Sequence, residues 1–177
     1  MTAIETAPAR PAPAPARHGL LCAGLALIAA FQLIQALSNA PQILADYHHA
    51  TAYLRFAQGL IRVKLALDPL VAAAALMFAV TARLREATLA LAAFILLDWL
   101  LDDLWSIPIH GLELSLDYGG LVVFAHHFVF PAVAIAGGAL ALKERRPVLA
   151  ALLVCFPTLF DLAGIIAFAV SIMLYGF

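Results

Sequence analysis

The chain has 177 residues, of which 65% are hydrophobic and only 12% charged, with a mean hydropathy of +1.01. So few charges cannot cover a soluble domain, and several apolar runs reach the roughly 20 residues that a membrane-crossing helix needs. The formal net charge of −1 argues against a nucleic-acid partner. The apolar runs are continuous and Ala/Leu-rich rather than alternating, which favours helices over a barrel. The expected fold is all-α: an integral membrane bundle of five transmembrane helices plus one interfacial helix, with the lipid bilayer as first partner.

Residues 1–18 include APARPAPAPAR, a Pro/Ala alternation that cannot build a core and reads as a disordered cytoplasmic tail. Residues 19–177 form a single transmembrane domain. Its first span runs from Gly19 to Leu37. Small residues around Ala36 and Ser38 offer a possible signal-peptide cleavage site, but the run is long for a signal and Gln32 and Gln35 interrupt it, which favours an uncleaved helix. Pro41 to Ala57 is too polar to span. With Tyr47 and Tyr53 it suits a helix lying on the membrane surface.

The second span covers Leu60 to Ala82, and the third Ala87 to Ile109. A loop, PIHGLELSLDYGG, leads to the fourth span, Gly119 to Leu142. The fifth begins at Pro147 and continues nearly to Phe177. Cys22 and Cys155 lie in apolar runs without metal-binding spacing and read as small hydrophobes. Of the ten basic residues, Arg10, Arg17, Arg83, Arg85, Lys143, Arg145 and Arg146 fall on one side and Arg55, Arg62 and Lys64 on the other. The positive-inside rule then places the N-terminus in the cytoplasm of a bacterial-type inner membrane.

The third span carries Asp98, Asp102 and Asp103 within LAAFILLDWLLDDLWSI. A carboxylate in hydrocarbon costs several kcal/mol, so it is paired, protonated or wetted, and it marks a candidate functional site. Lys64 and Asp68 on span two, His126 and His127 on span four, and Asp161 on span five fall at similar depth, in the outer half or at the midplane. Asp98, Asp102 and Trp105 share one helical stripe. Lys64 and Asp68, four residues apart, are expected to pair. Only one of His126 and His127 can face a common point.

Pro69, Pro131 and Pro157 stand beside these groups, and Pro131 deprives the carbonyl of His127 of its helical donor. The candidate ion- or ligand-binding residues are therefore Asp68, Asp98, Asp102, His126, His127 and Asp161. They suit an ion, a proton or a small ligand held by an accessory or binding protein of a membrane complex, partnered by other membrane subunits or by a second copy. An interhelical network with no ligand is the plainer reading. A metal-dependent enzyme acting on a lipid or isoprenoid-like substrate is the alternative, although HExxH and ferritin-like signatures are absent. DWLLDD is also only one of the two Asp-rich motifs that prenyl transfer requires. The pattern names no cofactor.

Overall fold

The computed structural model describes residues 15–44, 52–104 and 118–176. Every regular element among them is helical. Helix α1 spans Pro15–Asn39 and ends in a 3-10 turn, Ala40–Leu44. Helix α2 spans Ala52–Val80, and α3 spans Leu84–Asp98. A π-helical turn, Trp99–Asp103, carries α3 onward. Helix α4, Tyr118–Phe124, runs through a second π-helical turn, Ala125–Val129, into α5, Phe130–Leu142. Helix α6 spans Pro147–Tyr175.

Among the described residues, four stretches are long and apolar enough to cross a membrane: His18–Ile43, Phe56–Val80, Gly119–Leu142 and Pro147–Tyr175. Helix α2 and helix α6 have 29 residues each. At 1.5 Å per residue each extends about 43 Å, beyond the ~30 Å hydrocarbon core. Pro69 and Pro157 lie inside these two helices.

Three boundaries differ from the sequence reading. Helix α1 begins at Pro15, so residues 15–18 belong to the first helix rather than to the tail; Pro is well tolerated in a first turn, where its missing N–H has no partner to lose. Residues 52–57 form the start of α2 instead of the end of a separate surface helix, because nothing in AYLRFA breaks the run. Helix α3 starts three residues early, at Leu84. Residues 1–14, 45–51 and 105–117 lie outside the described residues. With them lie Tyr47, Trp105 and the loop before span four.

Helix α3 is the hub. It packs against α1, α2, α5 and α6. The interior is built from small side chains: Ala29, Ala72, Ala75, Ala87 and Ala134 are fully buried, with Leu25, Leu91 and Val154 filling the wider gaps. Large apolar residues face outward instead, among them Leu27, Leu70, Ile135, Phe168 and Met173. Lipid offers no hydrophobic penalty to exposed Leu or Ile, so contacts between helices are made where small residues let backbones approach.

Two short turns close one end of the bundle. In each, a backbone N–H reaches back five residues: Arg83 to the Phe78 carbonyl at 2.8 Å, and Arg145 to Leu140 at 3.0 Å. These are the capping bonds of a Schellman turn, which places one residue in the left-handed region. Ala82 and Glu144 occupy those positions, at φ 58° and 51°.

Candidate functional site

The polar residues gather at the opposite end of the bundle from these turns. They line a cavity of about 170 Å³ bounded by α1, α2, α3, α5 and α6, whose wall includes Lys64, Asp68, Asp98, His126 and Asp161. Such a space exceeds what one water needs, and its lining supplies the polar partners that water requires. Helix α1 contributes Gln32, Gln35 and Asn39 to the same wall. The amide of Gln32 donates to Thr158 Oγ1 at 2.7 Å, tying α1 to α6.

Lys64 reaches across from α2 to α3. Its ammonium is ion-paired with Asp98 and donates to Asp102 Oδ2 at 2.9 Å. The pair expected between Lys64 and Asp68 does not form. Intrahelical reach brings the two within range, but α3 presents two carboxylates to one ammonium, and they take it. Asp68 is left 6% exposed, with Oδ1 buried and without a hydrogen-bond partner.

The two histidines divide their roles. His126 lines the cavity. Its Nε2 lies 3.2 Å from Asp161 Oδ1 and its Nδ1 3.8 Å from Asp103 Oδ2. The ring is seated on Phe130, centroid to centroid 4.6 Å. His127 turns toward α3, with Nδ1 at 2.8 Å from the Val123 carbonyl and Nε2 at 3.0 Å from the Asp103 carbonyl. A carbonyl only accepts, so both contacts are hydrogen bonds at once only in a doubly protonated ring. The His127 carbonyl accepts the indole N–H of Trp99 at 3.0 Å.

Asp98, Asp102, His126, Asp68 and Asp161 thus converge as the sequence suggests, with two differences. The carboxylates that approach an imidazole are Asp103 and Asp161, whereas Asp98 and Asp102 go to Lys64. The π turn Trp99–Asp103 explains this. It inserts an extra residue per turn, so Asp103 rotates toward His126, where regular α-helical spacing would turn it away. Trp99 is absent from the sequence reading of the site, and Asp103 is noted there but not among the candidate binding residues. A DWLLDD run offers no local signal for a π turn.

The chain matches no known family, curated protein or solved structure. Function has to be argued from the site itself. Among the described residues no group of three or more His, Cys, Asp or Glu is placed to hold a metal ion. The charge balance is one-sided. Among the described residues the site gathers five carboxylates, Asp68, Asp98, Asp102, Asp103 and Asp161, with the Lys64 ammonium paired to Asp98 and Asp102, and protonating both His126 and His127 would still leave two negative charges on this set. In a low-dielectric bundle such an excess calls for protons or bound cations.

Proposed function

We propose that this chain is a small, non-enzymatic membrane protein, an accessory or binding subunit, whose polar site takes up a proton or another cation from the outer side. The observation that carries this reading is the buried, unpartnered Oδ1 of Asp68, a residue in the wall of a polar cavity beside an excess of carboxylates. An ionised carboxylate left so would be destabilising, and a cation or a proton supplies what it lacks. The packing of α1 on α2, with Cys22 and Leu25 buried, supports an uncleaved first span and hence five spans, with α3 as the third. Basic residues concentrated near the two short turns support a cytoplasmic location for that end in a bacterial-type inner membrane.

Thermal unfolding of the purified protein in lipid nanodiscs tests the site. Lowering the pH, or adding a monovalent cation, should raise the midpoint, and Asp68→Asn should abolish that response. A response unchanged in Asp68→Asn removes the proposal. For orientation, a chain lacking Cys22 and Cys155 should react with an impermeant thiol reagent in intact cells through a cysteine at position 117, and not at position 84.

A further inference from the structure

The imidazole of His126 stands between two carboxylates on different helices. Asp161, on the Nε2 side, lines the cavity together with Asp68, Asp98 and Lys64. Asp103, on the Nδ1 side, is carried by the π turn that extends α3. An imidazole accepts a proton at one nitrogen and releases another from the opposite nitrogen, and intramembrane Asp/His chains serve as proton relays. We infer that the site's ligand is the proton itself, delivered from Asp103 through His126 to Asp161 and on to Asp68. This rests on the reading of the cavity as a proton or cation site.

Three observations favour a proton over a larger cation. The Lys64 ammonium already occupies the space between Asp98 and Asp102. No trio of metal-ligating side chains converges among the described residues. Asp68 Oδ1 lacks a single hydrogen-bond donor, which a proton or a water passing one supplies.

Protonated Asp103 gives its hydrogen to the Nδ1 lone pair, the Nε2–H bond breaks, and that hydrogen passes to the Asp161 carboxylate. The ring is neutral before and after, with its tautomer exchanged, and a ring flip resets it. The 3.8 Å leg exceeds hydrogen-bond length, so it closes by a small ring rotation or one bridging water. Cavity water carries the proton to Asp68.

The other groups around His126 fit this route. Lys64 and Asp68 face the cavity from α2 and Asp98 from α3, while α1 presents only the uncharged Gln32, Gln35 and Asn39. His127 is held by the carbonyls of Val123 and Asp103. Beyond the cavity, toward the short turns, the core is Leu25, Ala29, Ala75, Leu91 and Val154, all buried. The route therefore ends at Asp68, and the device registers the proton activity of one side without conducting.

A pH jump in nanodiscs tests the route. Trp105→Phe leaves Trp99 as the only indole, and Trp99 reports because it bonds the residue next to His126. Stopped flow from about pH 8 to about pH 5 follows its fluorescence, and infrared spectroscopy reads carboxyl protonation at equilibrium. His126→Gln should slow the response at least ~100-fold, the lower range for a positioned proton-transfer group, with the infrared end-point unchanged. Asp103→Asn, which leaves the His126–Asp161 contact in place, should slow it likewise and stands in if His126→Gln does not fold. Unchanged rates in both variants overturn the route while the site reading stands. An absence of carboxyl protonation in the parent, or a titration undiminished in Asp68→Asn, overturns the site reading itself. Proton flux into proteoliposomes above that of protein-free liposomes overturns the closed end.

Discussion

The indole N–H of Trp99 donates to the carbonyl of His127 at 3.0 Å, across from one π-helical turn to the other. That carbonyl is the one Pro131 leaves without an α-helical donor, since Pro131 has no N–H to give. A proline on α5 is thus answered by a tryptophan in the π turn that follows α3. The bond locks together the two turns that carry Asp103 and His126, so side-chain geometry at the site depends on a backbone defect and its repair.

Trp99→Phe should therefore destabilise the protein by about 1 kcal/mol, by leaving that carbonyl unsatisfied inside the bundle. Pro131→Ala restores a backbone donor. In that background Trp99→Phe should cost clearly less, and a double-mutant cycle of unfolding free energies measures the difference. Strict additivity would show that Trp99 contributes packing alone.

Lys64 holds two carboxylates of α3. Lys64→Met should destabilise by about 1–3 kcal/mol, less than for a fully buried pair because the side chains of Asp98 and Asp102 are 35% and 44% exposed. Adding Asp98→Asn and Asp102→Asn should recover most of the loss, as the uncompensated charges are then gone. If the triple variant is as unstable as the sum of its parts, the ammonium is not what holds the carboxylates.

Much of this architecture is legible in the sequence. The span boundaries at Gly119, Leu142 and Pro147 come from apolar run length and from the breaks at Lys143 to Arg146, which chemistry makes local. The convergence of Asp68, Asp98, His126 and Asp161 follows from shared depth, because rise per residue is fixed. The partners do not follow. Pairing Lys64 with Asp68 needs only helical spacing, but the choice of Asp98 and Asp102 instead depends on how closely α2 and α3 approach. The approach of Asp103 to His126 does not follow either, because a π turn changes the angle per residue and DWLLDD does not announce one.

At the turn after α2, Arg83 donates to Glu86 Oε1 at 2.7 Å, and this hydrogen bond holds the exposed Glu86 carboxyl below its ordinary value of 4.5. A depressed folded-state value means that the pair stabilises above the ordinary Glu pKa and that this stabilisation is lost as pH falls through the folded one. The midpoint advantage of the parent over Glu86→Gln should thus shrink as pH falls from about 6 to about 3. The difference should shrink with added salt, because the pair is exposed. A parent advantage that grows as pH falls would reverse the sign and refute the assignment.

Gly137 and Gly138 are neighbours on α5 with opposite tolerance for a side chain. A Cβ at Gly137 would lie 2.8 Å from Val154 Cγ1 and 3.1 Å from the Ala150 carbonyl oxygen, both on α6. Val154 is fully buried and β-branched, so it has little freedom to swing aside, and the Ala150 oxygen is backbone. At Gly138 the nearest atom is Ala92 Cβ of α3 at 3.5 Å, an ordinary contact. Gly137→Ala should therefore force α5 and α6 apart and destabilise by about 1–3 kcal/mol, as overpacking does. Gly138→Ala should be nearly neutral or mildly stabilising, since Ala restricts the unfolded chain more than Gly does. Combining Gly137→Ala with Val154→Ala should recover part of the loss by removing the methyl that blocks the new Cβ. Equal effects at the two glycines, measured by unfolding in nanodiscs, would mean that α5 and α6 do not cross at Gly137.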